Sequence, residues 1–315
     1  MFKITQPPVI IFGRYSARDY SFPENCLVIT SRGAIKRGWL DYLKLNDCHV
    51  FNKVESNPSI ETVENIISEF NDTNFSNIIG LGGGSSMDVA KFVGSKMKKF
   101  KILIPTTFGS GSEVTRISVL KVNGKKKSFH DDSQLADVAI VDSYFIKHSP
   151  TEIIKNSAID AVAQCSEGYD SKNGNPLTKF LCNQAFEMLE EGIIKMDKEK
   201  IVLGSLISGL GFGNCSTTLG HALSYVFSNE GYPHGHALSF TTLYAHQFNN
   251  SKFYQRFSNL VKKLNFSKIN LKQNYDEAAD LILTDRKHLD NNPKHVSKQD
   301  IMGLLEKINT GNLAY

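Results

Sequence analysis

The chain predicts an α/β protein: a parallel-sheet domain over residues 1–147, then an all-helical domain over residues 148–315. Two observations carry that expectation. Up to about residue 147, short apolar and β-branched runs alternate with helix-length segments, the pattern of a parallel sheet covered by helices. Beyond that point apolar residues recur almost throughout at three- and four-residue intervals. A third feature, GLGGGSSMDVAK at 80–91, puts three consecutive glycines between a strand and a helix.

In chain order, the strand runs are PVIIFG (8–13), NCLVITS (25–31), CHVFNKV (48–54), SNIIGLG (76–82), KILIPTT (101–107), RISVLKV (116–122) and DVAIVD (137–142). GAIKRGWLDYLK (33–44) and SIETVENIISEFND (59–72) have helical spacing and supply crossovers. RISVLKV stands apart, because Asn123-Gly124 is a strong turn dipeptide that predicts a hairpin with the arm that follows. Pro150, Thr151 and Glu152 start the first long helix, and residues 176–195, 199–213, 216–227, 236–248 and 251–264 continue the helical texture. The polar end is expected to hold one short amphipathic helix, 297–308, docked weakly.

Composition narrows the function. Lys+Arg 36 against Asp+Glu 32 gives a net charge of +4, too small a surplus to imply nucleic acid, although KMKKFK and GKKKSF are local basic spots. No segment reaches the length of a membrane span, and the N-terminus lacks a long apolar stretch. Five widely spaced cysteines without a CxxC pair read as buried reduced thiols, so a cytoplasmic protein is expected.

The glycine stretch has the order strand, loop, helix. Such a loop lets backbone N–H groups approach an anion, and the positive end of the helix adds to the attraction. The spacing matches neither G-x-G-x-x-G nor the P-loop, and a tight turn without a ligand is the plain alternative. A second polar loop, PTTFGSGSEVT at 105–115, follows the next strand and offers Thr106, Thr107, Ser110 and Ser112. Two such loops after successive strands favour a nucleotide-sized groove.

In the helical half, Asp160 and Gln164 are four residues apart and share a helix face. His221 falls mid-helix and His234 follows Pro233 at a helix start, where the positive end disfavours a second positive charge. One carboxylate and two imidazoles suit Zn²⁺ or Fe²⁺ and leave a position open for substrate.

The blocks GGGSSMDVAK, IPTTFGSGSEVT, ADVAIVDSYF, AIDAVAQCSEGY and HALSYVFSNEGYPHGHA occur together and in this order. In them the chain resembles the iron-containing (group III) alcohol dehydrogenase family, from about Pro8 to Phe248. The resemblance implies a Rossmann-like dinucleotide-binding domain and a helical metal domain, the dehydroquinate synthase-like architecture. It also implies hydride transfer between NAD(H) or NADP(H) and a small alcohol or aldehyde, and suggests a homodimer. Carried over residue by residue, Gly82, Gly83, Gly84, Ser85 and Asp88 would line the pyrophosphate. Thr106, Thr107 and Ser110 would hold the phosphate–ribose region, Asn57 would lie near the cofactor and Lys127 near the nicotinamide ribose. Asp160, His221 and His234 fall on metal-ligand positions.

Two departures matter. Gln164 stands where the family commonly has a histidine ligand, and a neutral amide oxygen binds metal more weakly. Members resembling glycerol dehydrogenase manage with one Asp and two His. Ser31 stands where NAD-preferring members tend to have Asp; with Arg32 beside it, repulsion of a 2′-phosphate is replaced by attraction, and NADP(H) is expected to be accepted. An ordinary helix cap and surface charge is the other reading of the pair.

Tyr225, one turn after His221, and His236 are candidates for substrate contact or a proton path, beside core packing and support of the metal ligands. HALSYVFSNEGYPHGHA looks like the branch that includes phosphonoacetaldehyde reductases, so the substrate is expected to carry an anionic tail for Lys127 or a neighbour to pair with; a solvated hairpin face is the plain reading of NGKKKSF. Two other functions stay open. One is a dehydroquinate-synthase-like cyclase, the other a degenerate nucleotide binder without turnover.

Overall fold

A computed structural model describes residues 1–45 and 47–311. The chain divides into two compact units, Lys3–Ser149 and a second that begins at Pro150 and includes Met1–Phe2.

In the first unit, β1 (Val9–Phe12), β2 (Cys26–Ile29), β3 (His49–Phe51), β4 (Asn77–Gly82) and β5 (Phe100–Pro105) are joined by crossovers. β6 (Ile117–Val122) and β7 (Lys125–His130) form the antiparallel hairpin, and β8 (Val138–Val141) returns to the main sheet. That sheet has six strands in the order β1-β8-β5-β4-β2-β3, every pairing parallel. β2 and β8 are buried along their whole length, which is why CLVI and VAIV run apolar without alternation. The hairpin turn has Asn123 at φ 51° and Gly124 at φ 75°, both left-handed, as a two-residue turn between twisted strands requires.

The segment 33–44 is not one helix. Gly38, at φ 68°, breaks it into α1 (Arg32–Lys36) and α2 (Trp39–Tyr42). α3 (Ile60–Phe70) is capped by Ser59 and buries Val63, Ile66 and Phe70, while α4 (Gly84–Met97) follows the glycine stretch and is buried over most of its length. α5 (Tyr144–Lys147) closes the unit. The reduced-thiol expectation needs correction: Cys26 and Cys48 are disulfide-bonded, with Cα atoms 5.2 Å apart, while Cys165, Cys182 and Cys215 are buried thiols. Parallel pairing of β2 with β3 brings the two residues together across 22 positions, a spacing without a local signature.

The second unit is wholly helical among its described residues. It runs through α6 (Thr151–Asp170), α7 (Pro176–Lys195), α8 (Lys198–Phe212), α9 (Leu219–Asn229), α10 (His234–Asn249) and α11 (Tyr254–Leu264). After α12 (Tyr275–Leu283), the polar end from Thr284 holds two helices rather than one: α13 (Arg286–Asn291) and α14 (Lys298–Thr310). Nor is α14 weakly docked. Ile301, Leu304, Leu305 and Ile308 lie in one buried cluster with Leu219, Ala222 and Val226 of α9. Ser297 and Asp300 form a capping box at its start. Among the described residues no helix is long and apolar enough to cross a membrane.

Candidate functional site

The polar loops of the first unit lie side by side because β4 and β5 pair in register, Gly82 opposite Pro105. The Thr106 N–H donates to the Gly82 carbonyl at 2.9 Å. Gly82 takes φ 151°, where a Cβ would also stand 2.6 Å from the Ser86 hydroxyl. A Cβ on Gly83 would meet the Thr107 hydroxyl at 2.9 Å. The glycines thus bring the first turn of α4 against Thr107 and Ser110 with no side chain intervening. The first N–H groups of that helix have no partner within it, so they are available to an anion.

The strand order also reverses here. From β2 the chain passes outward to β3, then returns to β4 on the other side of β2. Ligands of open parallel sheets sit outside the carboxyl ends at such a switch. The Thr30 hydroxyl donates to the Leu81 carbonyl at 2.6 Å and ties those two ends together. Ser31 starts α1 without a side-chain capping bond, and Arg32 is exposed. Lys53, absent from the sequence reading, bridges Ser31 through the backbone. Asn57 is exposed, in a left-handed turn at φ 53° ahead of Pro58.

Asp88 does something different from the expected pyrophosphate contact. Its carboxylate accepts from the Ser112 hydroxyl at 2.5 Å and the Val119 N–H at 3.0 Å, and it pairs with buried Lys91 at 3.1 Å. It anchors the second loop and β6 to α4. Lys91 in turn donates to the Ile117 carbonyl.

In the helical unit, Asp160, His221 and His234 each offer one ligand atom, all within 4.8 Å of one another. The Asp160 Oδ1 atom is 3.9 Å from His221 Nε2 and 4.0 Å from His234 Nε2. The two rings are 5.5 Å apart between centroids. Two hard-to-intermediate nitrogen donors and one oxygen at this spacing fit a divalent ion. His221 is not mid-helix; it lies in the first turn of α9, as His234 opens α10. Both helices start close to α6 because of glycine. A Cβ on Gly235 would overlap the Asn156 carbonyl, whose carbon is 2.7 Å away, and one on Gly220 would stand 2.8 Å from the Glu167 carboxylate.

Glu167, two turns after Asp160 on the same face of α6, escaped the sequence reading. It accepts from the Thr218 hydroxyl at 2.8 Å and the Gly220 N–H at 2.6 Å, and bonds His221 Nδ1. Burial pushes its carboxyl up, but the His221 ring and these donors outweigh burial and hold it below its ordinary range. With Nδ1 engaged, His221 directs Nε2 toward the ion position. Gln164 donates from Nε2 to Asp160 Oδ1 at 2.9 Å, while its buried Oε1 has no hydrogen-bond partner. It therefore orients the carboxylate and keeps one oxygen uncommitted.

Tyr225 lies beside the group, its ring 6.5 Å from that of His234 and nearly parallel. Burial, with the carboxylates of Asp285, Asp160 and Glu167, pushes its phenol well up. His236 does not join. Two residues after His234 it faces away, bonding the Ser267 carbonyl through Nε2 at 2.6 Å and stacking on Phe266. That bond engages the ring nitrogen a proton path or substrate contact would use. Lys127 stands exposed on β7, with its ammonium 5.4 Å from the Phe129 ring centre, a hairpin-face position.

With this geometry in place, comparison with known proteins decides the family. A family model described as iron-containing alcohol dehydrogenase matches residues 7–143, and one for the C-terminal part of the Fe-containing alcohol dehydrogenase family matches residues 154–284. The chain belongs to the iron-containing alcohol dehydrogenase family. A 4-hydroxybutyrate dehydrogenase of Clostridium kluyveri is 35% identical, over 59% of this chain and 59% of that protein. Long-chain-alcohol dehydrogenase 1 of Geobacillus thermodenitrificans is 32% identical over 72% of this chain and 68% of that protein. The match thus spans only about three fifths of the first relative's length. A sulfoacetaldehyde reductase from Bifidobacterium kashiwanohense, solved with NAD+, shares the fold at TM-score 0.90 and 22% identity, covering 99% of this chain and 100% of that one. The α/β-then-helical architecture is that of the iron-containing alcohol dehydrogenases.

Proposed function

We propose that the chain is a metal- and NAD(P)-dependent alcohol dehydrogenase or aldehyde reductase, moving hydride between nicotinamide and a small alcohol or aldehyde. The observation that carries this is the convergence of Asp160, His221 and His234 within 4.8 Å in a chain of this family. The ion, Fe²⁺ by the family's description and Zn²⁺ as the alternative, supplies Lewis acidity to the substrate oxygen when bound. Asp160 offsets part of its charge, Gln164 orients Asp160, and Glu167 holds the tautomer of His221. The helix start at Gly84 and Ser85 binds the cofactor's pyrophosphate, with Gly82 and Gly83 giving access. Thr106, Thr107 and Ser110 line the adjoining loop, and Asn57 lies at the cofactor's rim.

NADP(H) is the preferred cofactor in this reading, because exposed Arg32 and Lys53 flank Ser31, which stands where an acidic residue would repel a 2′-phosphate. An Arg32→Ala, Lys53→Ala variant is expected to lower kcat/KM for NADPH at least ten-fold, about 1.4 kcal/mol, and to leave that for NADH within two-fold. A wild-type preference for NAD+ would overturn the assignment. A substrate with an anionic tail is favoured by the names of the two aldehyde- and hydroxy-acid relatives. A homodimer completes the reading; the cytoplasmic location rests on reduced thiols, a support the Cys26–Cys48 bridge removes, and thiol trapping in intact cells decides it.

The deciding experiment is elemental analysis of the purified chain, followed by NADPH oxidation with the aldehydes of 4-hydroxybutyrate and of 2-sulfoethanol. Stoichiometric iron or zinc with aldehyde-dependent turnover supports the proposal. Nucleotide binding without metal or turnover favours the degenerate binder, and phosphate release from a sugar phosphate favours the cyclase.

A further inference from the structure

A second carboxylate–imidazole pair lies beside the metal ligands, and neither the family blocks nor the proposed roles use it. His288 on α13 is 5% exposed, and its Nδ1 bonds Asp285 Oδ2 at 2.6 Å. Its ring lies 6.2 Å from that of His221, within 21° of parallel, and 6.0 Å from that of Tyr225. The arrangement repeats Glu167 and His221: a carboxylate holds Nδ1 and leaves Nε2 as the working nitrogen. Yet His288 is not among the residues whose ligand atoms fall within 4.8 Å of one another, so it stands one step outside the ion's reach.

Its position is firmly held. The Asn291 amide donates to the Cys215 carbonyl at 2.8 Å and to the Thr217 carbonyl at 3.0 Å, immediately before α9. Asn291 also accepts from the Lys172 N–H at 2.9 Å through its carbonyl and from the Asn173 N–H at 3.0 Å through its side chain. These bonds fix α13 to the same loop that sets the start of the His221 helix. Among the described residues, no hydrogen bond engages His288 Nε2. A buried imidazole with one nitrogen secured and the other uncommitted, beside a metal triad and a tyrosine, is what a substrate hydroxyl needs as its second contact.

We infer that His288, held by Asp285, contacts the substrate: its Nε2 accepts a hydrogen bond from the alcohol O–H and orients the oxygen toward the ion. This rests on the dehydrogenase reading for its substrate, an alcohol, and not for its geometry. The contact adds a direction to the metal's pull, so that the carbon bearing the hydride presents one face.

The test uses the whole chain loaded with Co²⁺, with 4-hydroxybutyrate as the probe alcohol. The visible Co²⁺ spectrum is titrated with alcohol in the wild type, His288→Ala, His288→Gln and Asp285→Asn, beside metal content and NADP+ affinity. Full metal and unchanged NADP+ affinity are expected in all four. Alcohol affinity is expected to fall about ten-fold in His288→Ala, the factor one hydrogen bond supplies, with partial recovery in His288→Gln, whose amide oxygen still accepts. Unchanged alcohol affinity in His288→Ala overturns the inference, and so does loss of Co²⁺ in both His288 variants, which would make it a ligand. A spectrum that responds to alcohol through His288 in a protein without NADP+ turnover would sustain the contact and end the dehydrogenase reading instead.

Discussion

Glu167 offers the ion no atom, yet it decides what His221 can do. Replacing it by Gln keeps the volume and removes the charge that holds the Nδ1 proton. Glu167→Gln is expected to weaken metal binding 10- to 100-fold, read by competition with a chromophoric chelator. A second buried carboxyl sets a pH dependence in the other unit. Glu113, in the second polar loop, is 3% exposed, and burial pushes its carboxyl to about 7 against the opposing pull of Lys91. Between its ordinary value of 4.5 and 7 the folded chain holds a proton that the unfolded chain has released. Stability from this group is therefore full below 4.5 and is lost as pH rises through 7, by on the order of 1–3 kcal/mol. Urea denaturation at pH 5 and pH 7.5 should show that slope in the wild type and a flatter one in Glu113→Gln. Equal slopes would place the Glu113 carboxyl elsewhere.

At the scale of elements, helix starts supply most of both sites, and the middle of α6 supplies Asp160. The glycine loop leads into the first turn of α4, while α9 and α10 carry His221 and His234 in theirs. Gly235→Ala tests how closely α10 and α6 must approach: overlap with the Asn156 carbonyl is expected to cost about 2–4 kcal/mol and to displace His234. A thermal melt together with loss of metal would register it, whereas wild-type metal content would show the helices free to part. The strands, the Asn123-Gly124 hairpin and the glycine loop were readable because each rests on local chemistry: apolar runs, a turn dipeptide, a strand–helix junction. So was the Asp160–His221–His234 set, through its motifs. What escaped depends on residues distant in the chain. Glu167 had its i+7 spacing from Asp160 as a signal, which went unused. Lys53 next to Ser31, the Cys26–Cys48 bridge and His288 had none, since each depends on how separate elements come together. The chain end misled by its polarity; its apolar residues are few, but they share one side of α14, and that side is buried.

For the molecule as a whole, two units with separate cores each carry one of the two proposed sites. A ligand that binds only the folded state stabilises what it touches. Hydrogen exchange should therefore report the two ligands in different places. NADP+ is expected to slow exchange at residues 83–86 and 106–110, and Zn²⁺ or Fe²⁺ at the starts of α9 and α10 and along the facing turns of α6. Protection by metal confined to the first unit would contradict the assignment of Asp160, His221 and His234.

The three side chains proposed to hold the metal come from three helices; His234 follows His221 by only thirteen positions, but His221 lies sixty-one after Asp160. No short stretch of unfolded polypeptide contains more than a fragment of the grip. Capture of the ion must then wait until α6, α9 and α10 have docked, so metallation is a late event that locks a finished fold. Chelation should accordingly yield a folded, empty protein that takes up metal quickly, and not a denatured one.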